Sequence, residues 1–407
     1  MFDAPARERT EPAVVAAGLL ALALYTLGVE NPHSTALRQI GLYGALVSAL
    51  GLALMKPARV IEIGRQPLAW AIGALALFAA LSAAVSPLPG YSAWEAYKEV
   101  GFLAFSAFAT AVIVQRGVDA RLLLWAAVGA AVLISAHDVI QYLRELSLPD
   151  RWPSDNIHKH RYYADPLLWY MPAVLWVVSI AHRRALPWLV VALVFYWLLL
   201  AGTGSRAAWY GAIGAAFVWF AARGEWRRGL LAVLALALAI AIALWLLPAE
   251  IFSQRATRGL DTSYRVEGTW KPAITLILER PWLGWGYGQS IFHAAYNAQV
   301  DANPTWHFRQ SLGPHNVFLA VWFAGGVPLI ASLVAALGCF VAIVLRVMRG
   351  GDACTPWRDP VVAALCSIIG YMIVRGTFET VGYRVAGLAF GVALAAAIAC
   401  RRANGQR

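Results

Sequence analysis

PLAWAIGALALFAALSAAVS, residues 67 to 86, runs without a single charged side chain. The hydrocarbon core of a bilayer is crossed by about 20 residues of helix, and a backbone in lipid must pair its own N–H and C=O groups, so this run reads as a membrane-crossing helix. Runs of the same kind recur near residues 12–28, 36–55, 99–115, 120–137, 164–181, 186–201, 206–223, 229–247, 315–346, 359–376 and 384–400. The whole chain of 407 residues is 60% hydrophobic and only 14% charged, with a mean hydropathy of +0.61, which excludes an ordinary soluble domain. The expectation is an all-α polytopic membrane protein of about 12 transmembrane helices. Residues 1–247 would hold helices one to nine, 248–314 an external loop with amphipathic helices, and 315–407 helices ten to twelve, all in one integrated membrane domain. The first run lacks a small-residue cleavage signal before its polar turn and reads as a span, not a signal peptide.

A net charge of +11 and a pI near 9.7 would suit nucleic acid if the basic residues shared a soluble face. They are scattered in short loops instead, among them Lys56, Arg59, Arg116, Arg183, Arg223, Arg227, Arg346, Arg349 and Arg402. With both termini cytoplasmic these loops fall inside, which is the positive-inside pattern, and no nucleic-acid partner is implied. The longer segments 138–163 and 248–314 then lie outside. Cys339, Cys354, Cys366 and Cys400 fall in spans or on the inner side, so no disulfide framework is expected.

Charge inside spans usually marks an ion or proton path. Here the span centres are nearly free of it, and Lys98, Glu99, Asp138, Arg206, Arg375, Glu379 and Arg384 gather at the outer ends. That distribution favours chemistry at the interface over ion-coupled transport. Gly202-Thr203-Gly204-Ser205-Arg206 makes a tight turn between two spans. Ser205 is a natural cap for the next helix, and its free N–H groups with Arg206 make either a diphosphate-binding site or a lipid-headgroup anchor.

In the larger loop, Thr262 to Glu279 reads as an amphipathic helix with Trp270, Ile274, Ile277 and Leu278 on one face, Arg265 on its first turn and a kink at Pro272. Arg280 to Gly288 follows as a turn whose glycines permit either close approach to a ligand or sharp bends. Pro314-His315-Asn316 opens the next span. Near a helix start the dipole disfavours imidazolium, so His315 suits a general base, with capping or hydrogen bonding as the plainer alternative.

No HExxH, CxxC, Walker A, GxSxG or strand-borne GxGxxG motif occurs, so cofactor chemistry is not expected. Asp150, Asp155, His158 and His160 lie near one another in sequence, but two histidines without a clear further ligand do not make a metal site.

Taken in order, GSRAAW (204–209), SYRVEGTWKPAITLILERPWLGWGYG (263–288) and PHNVFLAVWFAGGVP (314–328) resemble the O-antigen ligase and polymerase family. The resemblance implies a GT-C-like architecture with a large helical periplasmic loop in the bacterial inner membrane. Ligases of this family move O-antigen from undecaprenyl diphosphate to lipid A-core on the periplasmic face. Carried over by position, Arg206 and Arg265 would bind the donor diphosphate, His315 would activate the acceptor hydroxyl and Asn316 would support it. Ser205, Arg161, Trp270, Lys271, Arg375, Glu379 and Arg384 complete the expected substrate-binding set. A single dominant loop favours a ligase over a polymerase, a protein O-oligosaccharyltransferase differs only in acceptor, and a lipid-linked sugar transporter would break no bond.

Overall fold

Every apolar run noted above falls on a helix. The structure, a computed structural model, describes residues 4–31, 34–146, 161–246 and 265–405, and no strand occurs among them. In chain order the helices are α1 (Ala4–Gly28), α2 (Thr35–Met55), α3 (Pro57–Gly64), α4 (Pro67–Val85), α5 (Pro89–Ile113), α6 (Gly117–Leu146), α7 (Ala164–Ile180), α8 (Leu186–Gly202), α9 (Arg206–Ala222) and α10 (Trp226–Leu246). There follow α11 (Lys271–Glu279), α12 (Gln289–Gln299), α13 (Val317–Arg349), α14 (Asp352–Phe378) and α15 (Ala386–Gly405). Eight of the described helices are long and apolar enough to cross a membrane, and α7 and α8 are shorter apolar helices. The chain is a multi-pass helical membrane protein.

Helices α1 and α2 pack as a hairpin, α4 lies along α13, α15 along α5, and α9 against the last turns of α14. At the α9/α14 crossing a Cβ on Gly211 would sit 2.4 Å from the carbonyl oxygen of Gly370. Two glycines thus let the backbones touch, the contact that replaces hydrophobic drive between helices in lipid.

Several boundaries differ from the sequence reading, each for a local reason. Helix α5 starts at Pro89 rather than near residue 99, because Lys98 and Glu95 break the hydropathy yet pair at 2.6 Å one turn apart on a continuous helix. Helix α6 runs on through polar residues to Leu146, so the external segment expected from 138 begins as helix. Short α3 was expected to be loop. Its Arg59 is buried and donates to the carbonyl oxygens of Ala111 (2.8 Å) and Val114 (3.0 Å), capping the C-terminus of α5. No disulfide framework was expected, but Cys354 and Cys400 form a disulfide with Cα atoms 5.3 Å apart. It ties the start of α14 to the end of α15.

Among the described residues three segments widen into π-helix: Tyr97–Gly101, Val266–Trp270 and Ile368–Arg375. Pro272 explains the second. It has no N–H for the carbonyl four residues back, so the turn before it opens instead of kinking sharply. Such turns are frequent at functional sites, and these hold or adjoin Glu99, Arg265 and Arg375.

Helix α13 is broken at Gly325 and Gly326, the latter with φ +68. A break at this depth leaves backbone groups that lipid cannot satisfy, so protein must. The turn 280–288 does so: Trp285 N–H donates to Phe323 O (2.9 Å), Gly286 N–H to Ala324 O (2.9 Å), and Val327 N–H to Pro281 O (2.7 Å). Its glycines therefore serve close backbone packing on α13. Around this plug, Ala273, Leu276, Ile277, Ile291, Phe292, Tyr296, Trp306 and Phe323 form a second small core that seats α11 and α12 on α13.

Candidate active site

Several carboxylates join the charges at this end of the bundle. Glu379, just past α14, accepts from Arg265 Nη2 at 3.2 Å through one oxygen and meets His315 Nδ1 at 2.9 Å through the other. A carboxylate only accepts, so Nδ1 carries the proton and Nε2 is left as the acceptor of the ring. Arg265 also donates through Nη1 to the carbonyl oxygen of Phe378. Arg265 and Glu379 are largely buried and His315 is half-buried, with side-chain exposures of 17%, 15% and 34%.

His315 has φ +44. Non-glycine residues rarely adopt this conformation, and where they do it is over-determined by the surroundings. Here Trp270 Nε1 donates to the His315 carbonyl oxygen at 3.5 Å. Asn316 then caps α13, its Oδ1 accepting from Phe318 N–H (2.9 Å) and Leu319 N–H (3.0 Å), while Nδ2 donates to Thr377 O (3.0 Å). Helix α13 therefore starts at Val317, and His315 stands just outside it. Asn316, expected to touch substrate, spends its side chain fastening α13 to the end of α14.

Arg375 is buried, 2.5 Å from Asp165 Oδ1 and 2.6 Å from Ser205 Oγ, to which it donates. Ser205 makes no side-chain cap on α9, contrary to expectation, because the Arg375 guanidinium claims its hydroxyl. Arg206 opens α9 one turn before Tyr210, whose ring lies 6.3 Å from that of Phe378, the neighbour of Glu379. The segments carrying Arg206, Arg265 and His315 thus meet at one end of the bundle.

Glu99 forms the third junction. It accepts from the N–H groups of Tyr383 (3.0 Å) and Arg384 (3.3 Å) and from Arg384 Nη1 (3.2 Å). Glu30 lies 3.8 Å from Arg384 Nη2 with a side chain only 7% exposed. Burial pushes the Glu30 carboxyl up to about 8 despite the guanidinium. Burial also opposes the charge on Arg384, but Glu99 and Glu30 outweigh it and hold that guanidinium above its ordinary value.

One other expected site residue is placed apart from these junctions. Lys271 pairs with Glu267 at 3.0 Å on the exposed side of α11. The side chain of Arg161, and Asp150, Asp155, His158 and His160, lie outside the described residues. Among the described residues no cluster of His, Cys, Asp and Glu is fit to hold a metal ion.

Beside the Glu379 bridge opens a cavity of about 410 Å³, lined by Glu95 and Glu99 of α5, Tyr287 of the turn before α12, Gln289 at the start of α12, and His315 with Glu379. Sequence reasoning missed Glu95, Glu30, Asp165 and Tyr287. For Asp165 a signal was available: a carboxylate near one end of an apolar run needs a partner, and Arg375 is placed alike in another run.

Residues 191–334 match the family model described as O-antigen ligase. The chain is 31% identical over 246 residues to an O-antigen ligase of Salmonella typhimurium, covering 58% of this chain and 60% of that protein. It is 29% identical over 280 residues to an O-antigen ligase of Pseudomonas aeruginosa, covering 67% and 64% respectively. The chain thus spans less than two thirds of the length of these curated relatives. Arg375, Glu379 and Arg384 lie beyond the matched block, whereas Arg206, Arg265 and His315 lie within it. Across residues 191–334 the chain is thus similar to the O-antigen ligase family, the family that its sequence motifs resemble.

Proposed function

We propose that this protein is an O-antigen ligase: a glycosyltransferase of the bacterial inner membrane that moves O-antigen polysaccharide from undecaprenyl diphosphate to a sugar hydroxyl of lipid A-core. The observation that carries this reading is the Glu379 bridge, which sets a guanidinium and a proton-accepting imidazole on either side of one carboxylate.

Cleavage of the sugar–phosphate bond leaves negative charge on the diphosphate, and Arg265 with Arg206 compensates it. His315 Nε2 takes the proton of the acceptor hydroxyl as that oxygen attacks, and Glu379 receives the Nδ1–H of the imidazolium that develops. Attack opposite the departing diphosphate inverts the anomeric centre. The donor carries its own activation, so no nucleotide or other cofactor enters the scheme. Twelve spans in a GT-C-like arrangement, with both termini cytoplasmic, put this end of the bundle and residues 248–314 in the periplasm, in keeping with the basic inner loops.

The test is purified protein given undecaprenyl diphosphate-linked glycan with lipid A-core, with carrier-linked chain, or with pilin. Glycan appearing on lipid A-core is expected. Appearance on the second or third acceptor replaces the reading with a polymerase or a protein O-oligosaccharyltransferase. Donor movement across a vesicle bilayer without any product replaces it with a transporter.

A further inference from the structure

The cavity beside His315 differs in chemistry from the arginines that surround it. Three carboxylates line it, Glu95, Glu99 and Glu379, and each is paired with a cation: Lys98 at 2.6 Å, Arg384 at 3.2 Å and Arg265 at 3.2 Å. None of those cations lines the cavity, nor does any other described lysine or arginine. The carboxylates therefore face it as acceptors while their counter-charges stand outside.

Hydroxyl groups donate readily to carboxylates, and hydrogen bonds to an ionised partner are the strong ones. A phosphate brought into the same space would meet the carboxylates first, with the guanidinium groups behind them. At about 410 Å³ the cavity lies at the small end of the roughly 300–1,000 Å³ range of ligand pockets. It also offers aromatic surface from Tyr287 and Phe292.

We infer that this cavity is the subsite for the acceptor's reacting sugar, that it selects an unphosphorylated ring, and that Glu95 and Gln289 determine that selection. The inference rests on the ligase reading for the word acceptor, and on the cavity itself for the chemistry. The leaving diphosphate belongs with Arg206 and Arg265, and the attacking hydroxyl belongs where His315 meets the carboxylate wall. Glu99 is committed to two backbone N–H groups and Arg384. Glu95, held only by Lys98 among the bonds seen, and Gln289, exposed at the start of α12, are the side chains placed to read ring hydroxyls.

The experiment uses the full-length protein in nanodiscs without donor. Binding is measured for two core oligosaccharides that differ only in a phosphate on the terminal sugar. The unphosphorylated one is expected to bind about tenfold tighter or better. Glu95→Gln and Gln289→Ala should each weaken it about tenfold, and Glu95→Gln should narrow the preference over the phosphorylated one. Ala320→Leu, which pushes a side chain into the cavity from α13, should block both. Equal affinity for the two oligosaccharides, or unchanged affinity in the Glu95 and Gln289 variants, overturns the inference. Because binding is read without donor, failure of transfer in a separate assay counts against the ligase reading and leaves this result standing.

Discussion

Arg375 and Arg265 reach the same end of the bundle from different segments, and each meets a carboxylate, Asp165 at 2.5 Å and Glu379 at 3.2 Å. Arg375 is buried and also donates to Ser205, so it fastens α14 to α7 and α9. Arg265 is held less deeply, and its carboxylate is shared with His315 beside an open cavity. One arginine type thus supplies a knot in one place and, under the proposed mechanism, a reactive bridge in another. What separates them is whether the carboxylate serves the guanidinium alone or links it to a group that can exchange a proton.

The sharpest way to break this contrast is to remove the imidazole. His315→Asn should lower kcat about 10²- to 10⁴-fold, the range of general-base catalysis, with the melting temperature unchanged. Asparagine is the better choice over alanine because it tolerates the positive φ of residue 315. Near-normal turnover in the transfer assay would remove His315 from the chemistry and erase the distinction between bridge and knot.

Arg375→Met tests the other side. Taking one partner from a buried ion pair costs about 3–5 kcal/mol, so thermal unfolding in detergent should show a large loss. Arg265→Met in the same assay should cost less, because Glu379 keeps its contact with His315, while abolishing donor use. Equal losses of stability would mean that both arginines are scaffold.

Much of this arrangement was legible beforehand, and the remainder was not for physical reasons. Apolar runs locate helices because lipid enforces a single backbone solution. The gathering of Arg206, Arg375, Glu379 and Arg384 at span ends showed where charge would collect. Which charges pair is another matter, since Glu379 finds partners 64 and 114 residues away. Ser205 shows local chemistry overruled: its expected cap is lost to an arginine 170 residues distant. The turn at 280–288 was ambiguous by itself. Read together with Gly325, Gly326 and Pro328, whose break exposes carbonyl and N–H groups, it becomes the piece that satisfies them.

Glu379→Gln sharpens the bridge further. Arginine only donates, so the amide oxygen of glutamine would be claimed by Arg265 and its NH₂ would face Nδ1 of His315. The ring would then shift its proton to Nε2, the wrong tautomer for accepting one from a hydroxyl. A drop in kcat of about 10²-fold with donor KM unchanged is expected, smaller than for losing the imidazole. A lowered kcat that Glu379→Asp fails to restore even in part, or a change confined to KM, would show that Glu379 acts on substrate and not through His315.

The smallest effect concerns Glu30, behind Arg384 and away from both arginines compared above. Its carboxyl is raised from 4.5 to about 8 by burial. A raised folded-state value means the protonated form is the one folding favours. That contribution is therefore complete below pH 4.5, declines as pH rises through the interval, and is gone above about 8. Glu30→Gln keeps the neutral shape at every pH. The variant should match the parent near pH 5 and exceed it near pH 8 by on the order of 2 kcal/mol, less than the full linkage value because a buried site relaxes around a charge. Melting curves of the two proteins at pH 5 and pH 8 decide it. A variant less stable than the parent at pH 8 would mean that Glu30 is ionised there and serves Arg384 as a true ion-pair partner, making this junction a second knot like that of Arg375.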